Sequence, residues 1–161
     1  MKLSLIYKKI LENLFIIIYG KVITTNKKIK NLSITKLDKI SNENISKYNY
    51  YLYKLNQGRV FTNYVENVSI ISGNHLVKKA SFQQINGLLK INKNVTLNTG
   101  TPKLIKRING SLLILTQGAS GHNNYAHWML DVLPKIKLLL SKMLISEIKN
   151  IYVTKLNKFQ N

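Results

Sequence analysis

The stretch from Ser111 to Thr154, SLLILTQGASGHNNYAHWMLDVLPKIKLLLSKMLISEIKNIYVT, constrains the fold more than any other part of the chain. An apolar, β-prone run at Ser111 to Thr116 is followed by the small-residue loop QGASGHNN, a helical pattern from about Asn124, and a second β-prone run at Asn150 to Thr154. A strand–helix–strand succession of this length is a βαβ unit, and its crossover implies a parallel strand pair. That order places Gly118 to Asn124 at the carboxyl end of the first strand, where open α/β sheets bind ligands, and a helix N-terminus there suits an anion. The glycines match no phosphate-loop spacing, so a plain tight turn explains them equally well. Pro134 disfavours helical geometry at the residue before it yet suits the first turn of a new helix, which predicts a kink or restart. The second helical piece, KIKLLLSKMLISEIK, is expected to bury Ile136, Leu139, Leu140, Met143 and Leu144 along one stripe.

Upstream, between Gly58 and Thr116, the chain reads as β-rich. The segment RVFTNYVENVSIISGNHLVKK has β-branched and aromatic runs around a Ser72-Gly73-Asn74 turn. In KLIKRINGSLLILTQ, Asn109-Gly110 separates two apolar runs and predicts a two-residue type I′ hairpin joining strands at Lys103 to Ile108 and Ser111 to Thr116. Residues 21–57 read as a polar, lysine-rich connector with short strands at Lys21 to Thr25 and Leu32 to Leu37. The tyrosines Tyr48, Tyr50, Tyr51 and Tyr53 could stack on bases or sugars, but alternation of this kind favours a half-buried strand. Residues 1–20 form an amphipathic helix: Ile6, Ile10, Leu14 and Ile17 recur at three- and four-residue steps, with Lys9, Glu12 and Asn13 elsewhere. The uninterrupted apolar run, Leu14 to Tyr19, falls well short of the roughly 20 residues a spanning helix needs. Two readings stand for this helix: packing on the body of the protein, or a basic helix on anionic lipid, given Lys2, Lys8, Lys9 and Lys21. The fold class is therefore α/β, a β-rich N-terminal part leading into a βαβ unit.

With 161 residues the chain has room for one domain with a real core. It contains no cysteine, and His75, His122 and His127 lack the paired short spacing of zinc sites, so no metal and no cofactor is expected. A net charge of +19 suggests nucleic acid or another anionic surface. Against nucleic acid as a partner, Arg59 and Arg107 are the only arginines, and the lysines punctuate every element instead of forming a stripe.

The segment that points to chemistry is NNYAHWMLDVLPKIKLLL, Asn123 to Leu140. On a helix His127 and Asp131 project from one face, with Asn123 and Asn124 a turn before and Lys135 a turn after, while Tyr125, Trp128, Met129 and Val132 take the other side. Such a stripe can present a base, its carboxylate orienter and an aromatic surface for a sugar ring. It can equally be structural, with His127 bonding a loop, Asp131 holding Lys135 and Trp128 filling core.

The run NYAHWMLDVLPKIKLL resembles the signature of glycosyltransferase family 61, often labelled capsular polysaccharide biosynthesis proteins: an Asn-Tyr-X-His-Trp opening, then Leu-Asp-X-Leu-Pro and a basic residue. Asn124, Tyr125, His127, Trp128, Asp131, Leu133, Pro134 and Lys135 fall on that pattern. GRVFTNYVENVSIISGNHLV upstream is similar to the family's strand-rich lead, and IYVTKLNKFQ downstream to its next strand and the start of a Phe-Gln helix. The resemblance runs from Gly58 to Gln160. It implies an inverting, nucleotide-sugar-dependent transferase of the two-domain B-type fold, with residues 58–161 as a truncated, acceptor-side N-terminal half and the donor held mostly by a half not present here. In that reading His127 is the catalytic base and Asp131 its orienter, while Asn124, Tyr125, Trp128 and Lys135 bind substrate. The partners are a nucleotide-sugar donor and a saccharide acceptor. The location is cytoplasmic, with peripheral contact to the inner membrane face as the lipid-binding reading of the first helix would have it. The Asp-X-Asp metal motif of A-type transferases is absent, since Asp38 and Asp131 are the only aspartates. The alternatives are a basic nucleic-acid-binding protein and a non-catalytic saccharide-binding domain.

Overall fold

The computed structural model describes residues 3–37, 49–62, 66–115, 125–140, 142–143 and 145–153, and shows a mixed α/β chain. Helix α1 (Leu3–Tyr19) is followed by β1 (Leu32–Leu37) and β2 (Tyr50–Leu55), an antiparallel pair in register from Leu32 opposite Leu55 to Leu37 opposite Tyr50. The strand expected at Leu32 to Leu37 is β1, and its partner lies in the tyrosine-rich part of the connector. Of the strand expected at Lys21 to Thr25, a single parallel bridge from Ile23 to His75 remains.

The larger sheet is antiparallel: β3 (Gly58–Thr62), β4 (Asn67–Ser72), β6 (Phe82–Ile85) and β7 (Leu88–Leu89) lie in that order, and β5 (His75–Leu76) also pairs with β4. Strand β4 is the pivot, because β6 takes the amino-terminal part of one edge and β5 the carboxyl-terminal part. Alternation along β4 puts Asn67, Ser69 and Ile71 on one face. Ile71 is fully buried with Val22 and Leu76, and Ile91 and Leu97 pack on this cluster.

Next to that apolar cluster the same face is polar. Asn67, Ser69, Asn94 and Thr96 are all completely buried. The Asn67 amide donates to Gln83 Oε1 at 2.9 Å, and the Ser69 hydroxyl donates to Asn94 Oδ1 at 2.8 Å. Asn94 Oδ1 also accepts from the Thr96 backbone N–H at 3.1 Å and the Thr96 hydroxyl at 2.7 Å, which starts the short helix α2 (Thr96–Thr99). Buried polar groups cost free energy unless each finds a partner. Here the side chains satisfy one another and so specify how the 94–99 segment seats on the sheet.

The hairpin between β6 and β7 turns on Asn86-Gly87, both at positive φ (51° and 76°), with Ile85 opposite Leu88. These are the angles of a type I′ turn, which glycine adopts without steric cost. The hairpin expected at Asn109-Gly110 does not form. Residues 102–110 contain no strand, and β8 (Leu112–Ile114) pairs in parallel with β9 (Asn150–Tyr152), from Leu112 opposite Asn150 to Ile114 opposite Tyr152. The reason lies in the competing partner. The Asn150 side-chain amide donates to the Asn109 carbonyl at 3.0 Å, and the Ser111 hydroxyl donates to the Glu147 carbonyl at 2.6 Å while accepting from the Lys149 N–H at 2.9 Å. The residues flanking Asn109-Gly110 are thus bonded to the returning segment, and the parallel βαβ unit read from the sequence is present.

One further expectation is corrected in part, and for the first helix the outward face is now defined. The strand expected at the tyrosines is β2, but Tyr50 and Tyr51 on it are exposed and Tyr53 is half-buried; Tyr48 lies outside the described residues. Helix α1 keeps its apolar stripe on the outside: Ile6, Ile10, Leu14 and Ile17 are all exposed. The contact with the body is made from the other side, by Phe15, Ile16 and Tyr19, whose side chains are half-buried.

Candidate functional site

The helical segment that crosses from β8 to β9 is not a uniform α-helix. Helix α3 (Tyr125–His127) passes into a π-turn (Trp128–Val132) and then into α4 (Leu133–Leu140), with the Leu133 N–H donating to the Trp128 carbonyl. Proline has no N–H to close an i−4 bond, so widening the turn just before Pro134 absorbs the mismatch while Leu133 keeps helical angles. The predicted restart at Pro134 is realised in this way. Of the expected stripe, Leu139 is buried, Ile136 and Met143 are half-buried and Leu140 is exposed, while Val132 and Leu138 are buried in addition; Leu144 is outside the described residues. Residues 142–143, expected to be helical, are not.

His127 ends α3 and Asp131 lies in the π-turn. His127 Nδ1 and Asp131 Oδ2 are 2.6 Å apart, and 42% and 48% of their side chains remain accessible. With Nδ1–H donating to the carboxylate, the imidazole is fixed in tautomer and orientation, and Nε2 is the basic nitrogen. Such a pair can take a proton from a hydroxyl brought to it from solvent.

The other residues expected at the site divide. Lys135 turns inward: its ammonium donates to the Leu115 carbonyl at 3.0 Å, at the carboxyl end of β8. Burial pushes the Lys135 amine below its ordinary pKa, and Asp131 one turn earlier partly offsets this. Lys135 thus joins the helix to the strand end. Trp128 is half-buried and Tyr125 exposed. Asn124 and the loop Gly118 to Asn124 lie outside the described residues, as does His122. Among the described residues no three His, Asp or Glu side chains gather as a metal site.

Sequence reading missed Arg59. Its guanidinium donates to the Tyr19 carbonyl at 3.1 Å, to Thr101 Oγ1 at 3.1 Å, to Asn74 Oδ1 at 3.0 Å and to the Gly73 carbonyl. Arg59 thereby ties the carboxyl end of α1 to the β4–β5 turn, and burial lowers its pKa against an opposing effect from Tyr19. The one signal in the sequence was its rarity among so many lysines, since only the planar fork reaches several acceptors at once.

Compared with known proteins, the chain matches no family model, no curated protein and no solved structure.

Proposed function

We propose that this chain supplies the acceptor side of an inverting glycosyltransferase of family 61 type, with a B-type partner half holding most of the nucleotide-sugar donor and a saccharide as acceptor. The observation that carries the reading is the exposed His127–Asp131 pair at 2.6 Å, on the helix that follows the carboxyl end of a parallel strand. In the reaction, His127 Nε2 removes the proton from an acceptor hydroxyl as its oxygen bonds to the anomeric carbon. The bond from that carbon to the diphosphate breaks, and the diphosphate leaves with the electron pair. Asp131 holds the imidazole and balances the imidazolium that results. Tyr125 and Trp128, one exposed and one half-buried beside the pair, offer aromatic surface to the acceptor ring. Asn124 belongs to the same acceptor surface in this reading, and Lys135 acts by holding the helix to β8. The setting is the cytoplasmic side of surface or capsular polysaccharide synthesis.

The test is turnover in an enzyme that joins this chain to a nucleotide-sugar-binding half, with nucleoside diphosphate release as the readout; the 161-residue chain alone is expected to give none. His127→Ala should reduce turnover by about 10²–10⁴-fold, the usual share of a general base. Asp131→Asn should cost less, because it disturbs orientation and leaves the imidazole in place. Unchanged turnover in a folded His127→Ala protein would remove His127 from this role.

A second reading, a non-catalytic saccharide-binding domain, is favoured by the exposed Tyr51 and its neighbour Tyr53, whose rings lie 6.5 Å apart on β2. It predicts saccharide binding that Tyr51→Ala weakens and His127→Ala leaves intact.

A further inference from the structure

The strongest unused feature of the molecule is the outer face of α1. Ile6, Tyr7, Ile10, Leu14, Ile17 and Ile18 are exposed, Ile17 by 81% and Tyr7 by 65%. At 3.6 residues per turn these six fall within an arc of about 120° on one side of the helix. Ile16, on the other side, packs beside Gly100, and Phe15 stacks on Tyr19 with ring centroids 6.0 Å apart. The fold thus uses the weaker apolar face and leaves the stronger one in solvent. Burying such a face is favourable in proportion to its area, so its exposure calls for a partner.

Charge identifies the partner. Exposed Lys9 and Lys8 lie about 120° and about 140° from the middle of the stripe, one on each side of it, and exposed Lys21 follows the helix. Glu12 is the one carboxylate on the helix, and it lies 3.9 Å from Lys8. A second segment repeats the chemistry: Lys103, Lys106 and Arg107 alternate with exposed Leu104, Ile105 and Ile108, and the Ile105 N–H donates to the Tyr19 hydroxyl at the end of α1. Apolar side chains bordered by cations match a lipid surface whose acyl region lies beneath anionic headgroups. A second copy of the chain fits less well, because each copy carries +19 and would bring its flanking lysines against those of the other. No helix among the described residues is long and apolar enough to cross a membrane, so contact is along the surface.

We propose that α1 lies flat on an anionic phospholipid surface, with the Ile6 to Ile18 stripe in the acyl boundary and the lysines at the headgroups. The 103–108 segment adds a second point of contact beside it. This inference is independent of the glycosyl-transfer reading, since neither His127 nor Asp131 takes part.

The experiment is flotation of the full chain with vesicles of phosphatidylcholine alone and with about 30% phosphatidylglycerol, in about 150 mM salt, where dispersed surface charges are screened beyond roughly 8 Å. The chain should float with the anionic vesicles and little with the neutral ones. The double variant Ile10→Asp, Ile17→Asp should partition at least about tenfold less, because it removes buried apolar area and adds charge to the stripe. Both positions are exposed, so the variant's thermal unfolding should match the wild type and show that the loss is not misfolding. Lys8→Glu with Lys9→Glu should weaken binding to the anionic vesicles alone. Failure of the wild type to float with anionic vesicles would overturn the proposal. So would equal flotation of the aspartate variant, which would assign binding to scattered lysines. A wild-type dimer that the aspartate variant converts to monomer, without vesicle binding, would give the face to a second copy instead.

Discussion

Arg59 shows how one side chain can hold separate elements together through neutral acceptors. It donates to two backbone carbonyls and two side-chain oxygens, from Tyr19, Gly73, Thr101 and Asn74. The Tyr19 carbonyl is at the negative end of the α1 dipole, where a cation is favourable. Replacement by Met would leave these acceptors to solvent and remove several charge-assisted bonds. Arg59→Met should therefore lower stability by about 1–3 kcal/mol, read as a lower urea midpoint at unchanged slope. Arg59→Lys should recover only part of this, since an ammonium cannot reach the helix end and the turn together. Equal midpoints for the wild type and the Met variant would show that α1 is held by its apolar contacts alone. At the candidate site, the His127–Asp131 contact was legible because a four-residue step on a helix brings two side chains together whatever surrounds them. The bond from Lys135 to the Leu115 carbonyl was not legible, because it joins residues 20 apart in sequence and depends on where the helix crosses the strand.

Among the elements, the two Asn-Gly pairs followed by β-prone residues met different fates. Asn86-Gly87 forms the I′ turn and Asn109-Gly110 does not, although the local chemistry is the same. Turn propensity is a small local preference, and at 109–110 the parallel pairing of β8 with β9 outweighs it. Gly87 sits at φ 76°, and a Cβ there would meet nothing within 4 Å. Gly87→Ala should thus cost about 1 kcal/mol from backbone strain without any clash, measured by chemical denaturation. A loss near zero would mean that the turn relaxes to another type. The π-turn before Pro134 is a second case: proline predicts an interruption, but not that one wide turn would absorb it.

For the whole molecule, the charge of +19 is the property a binding partner meets first. Lysines are spread through α1, the connector, the hairpins and the βαβ unit, so few of them can contact phosphates along one strand of nucleic acid at once. Binding to DNA or RNA should be weak, indifferent to sequence, and lost near physiological salt, since the log of affinity falls with log salt in proportion to the phosphates neutralised. A filter-binding titration against salt checks this. Tight binding with a preferred sequence at about 150 mM salt would favour the nucleic-acid reading over both surfaces described above. The sequence by itself determined the mixed α/β class, the first helix, the parallel βαβ unit and the His127–Asp131 spacing. Each of these rests on periodicity, crossover length or a four-residue step, and those are local properties. The tertiary structure alone decided which face of α1 points outward, that β8 has no hairpin partner at 103–108, and that Asn67, Ser69, Asn94 and Thr96 are buried together. Those outcomes depend on competition between distant segments for the same surface, and burial and hydrogen-bond satisfaction settle that competition only when the whole chain is in place.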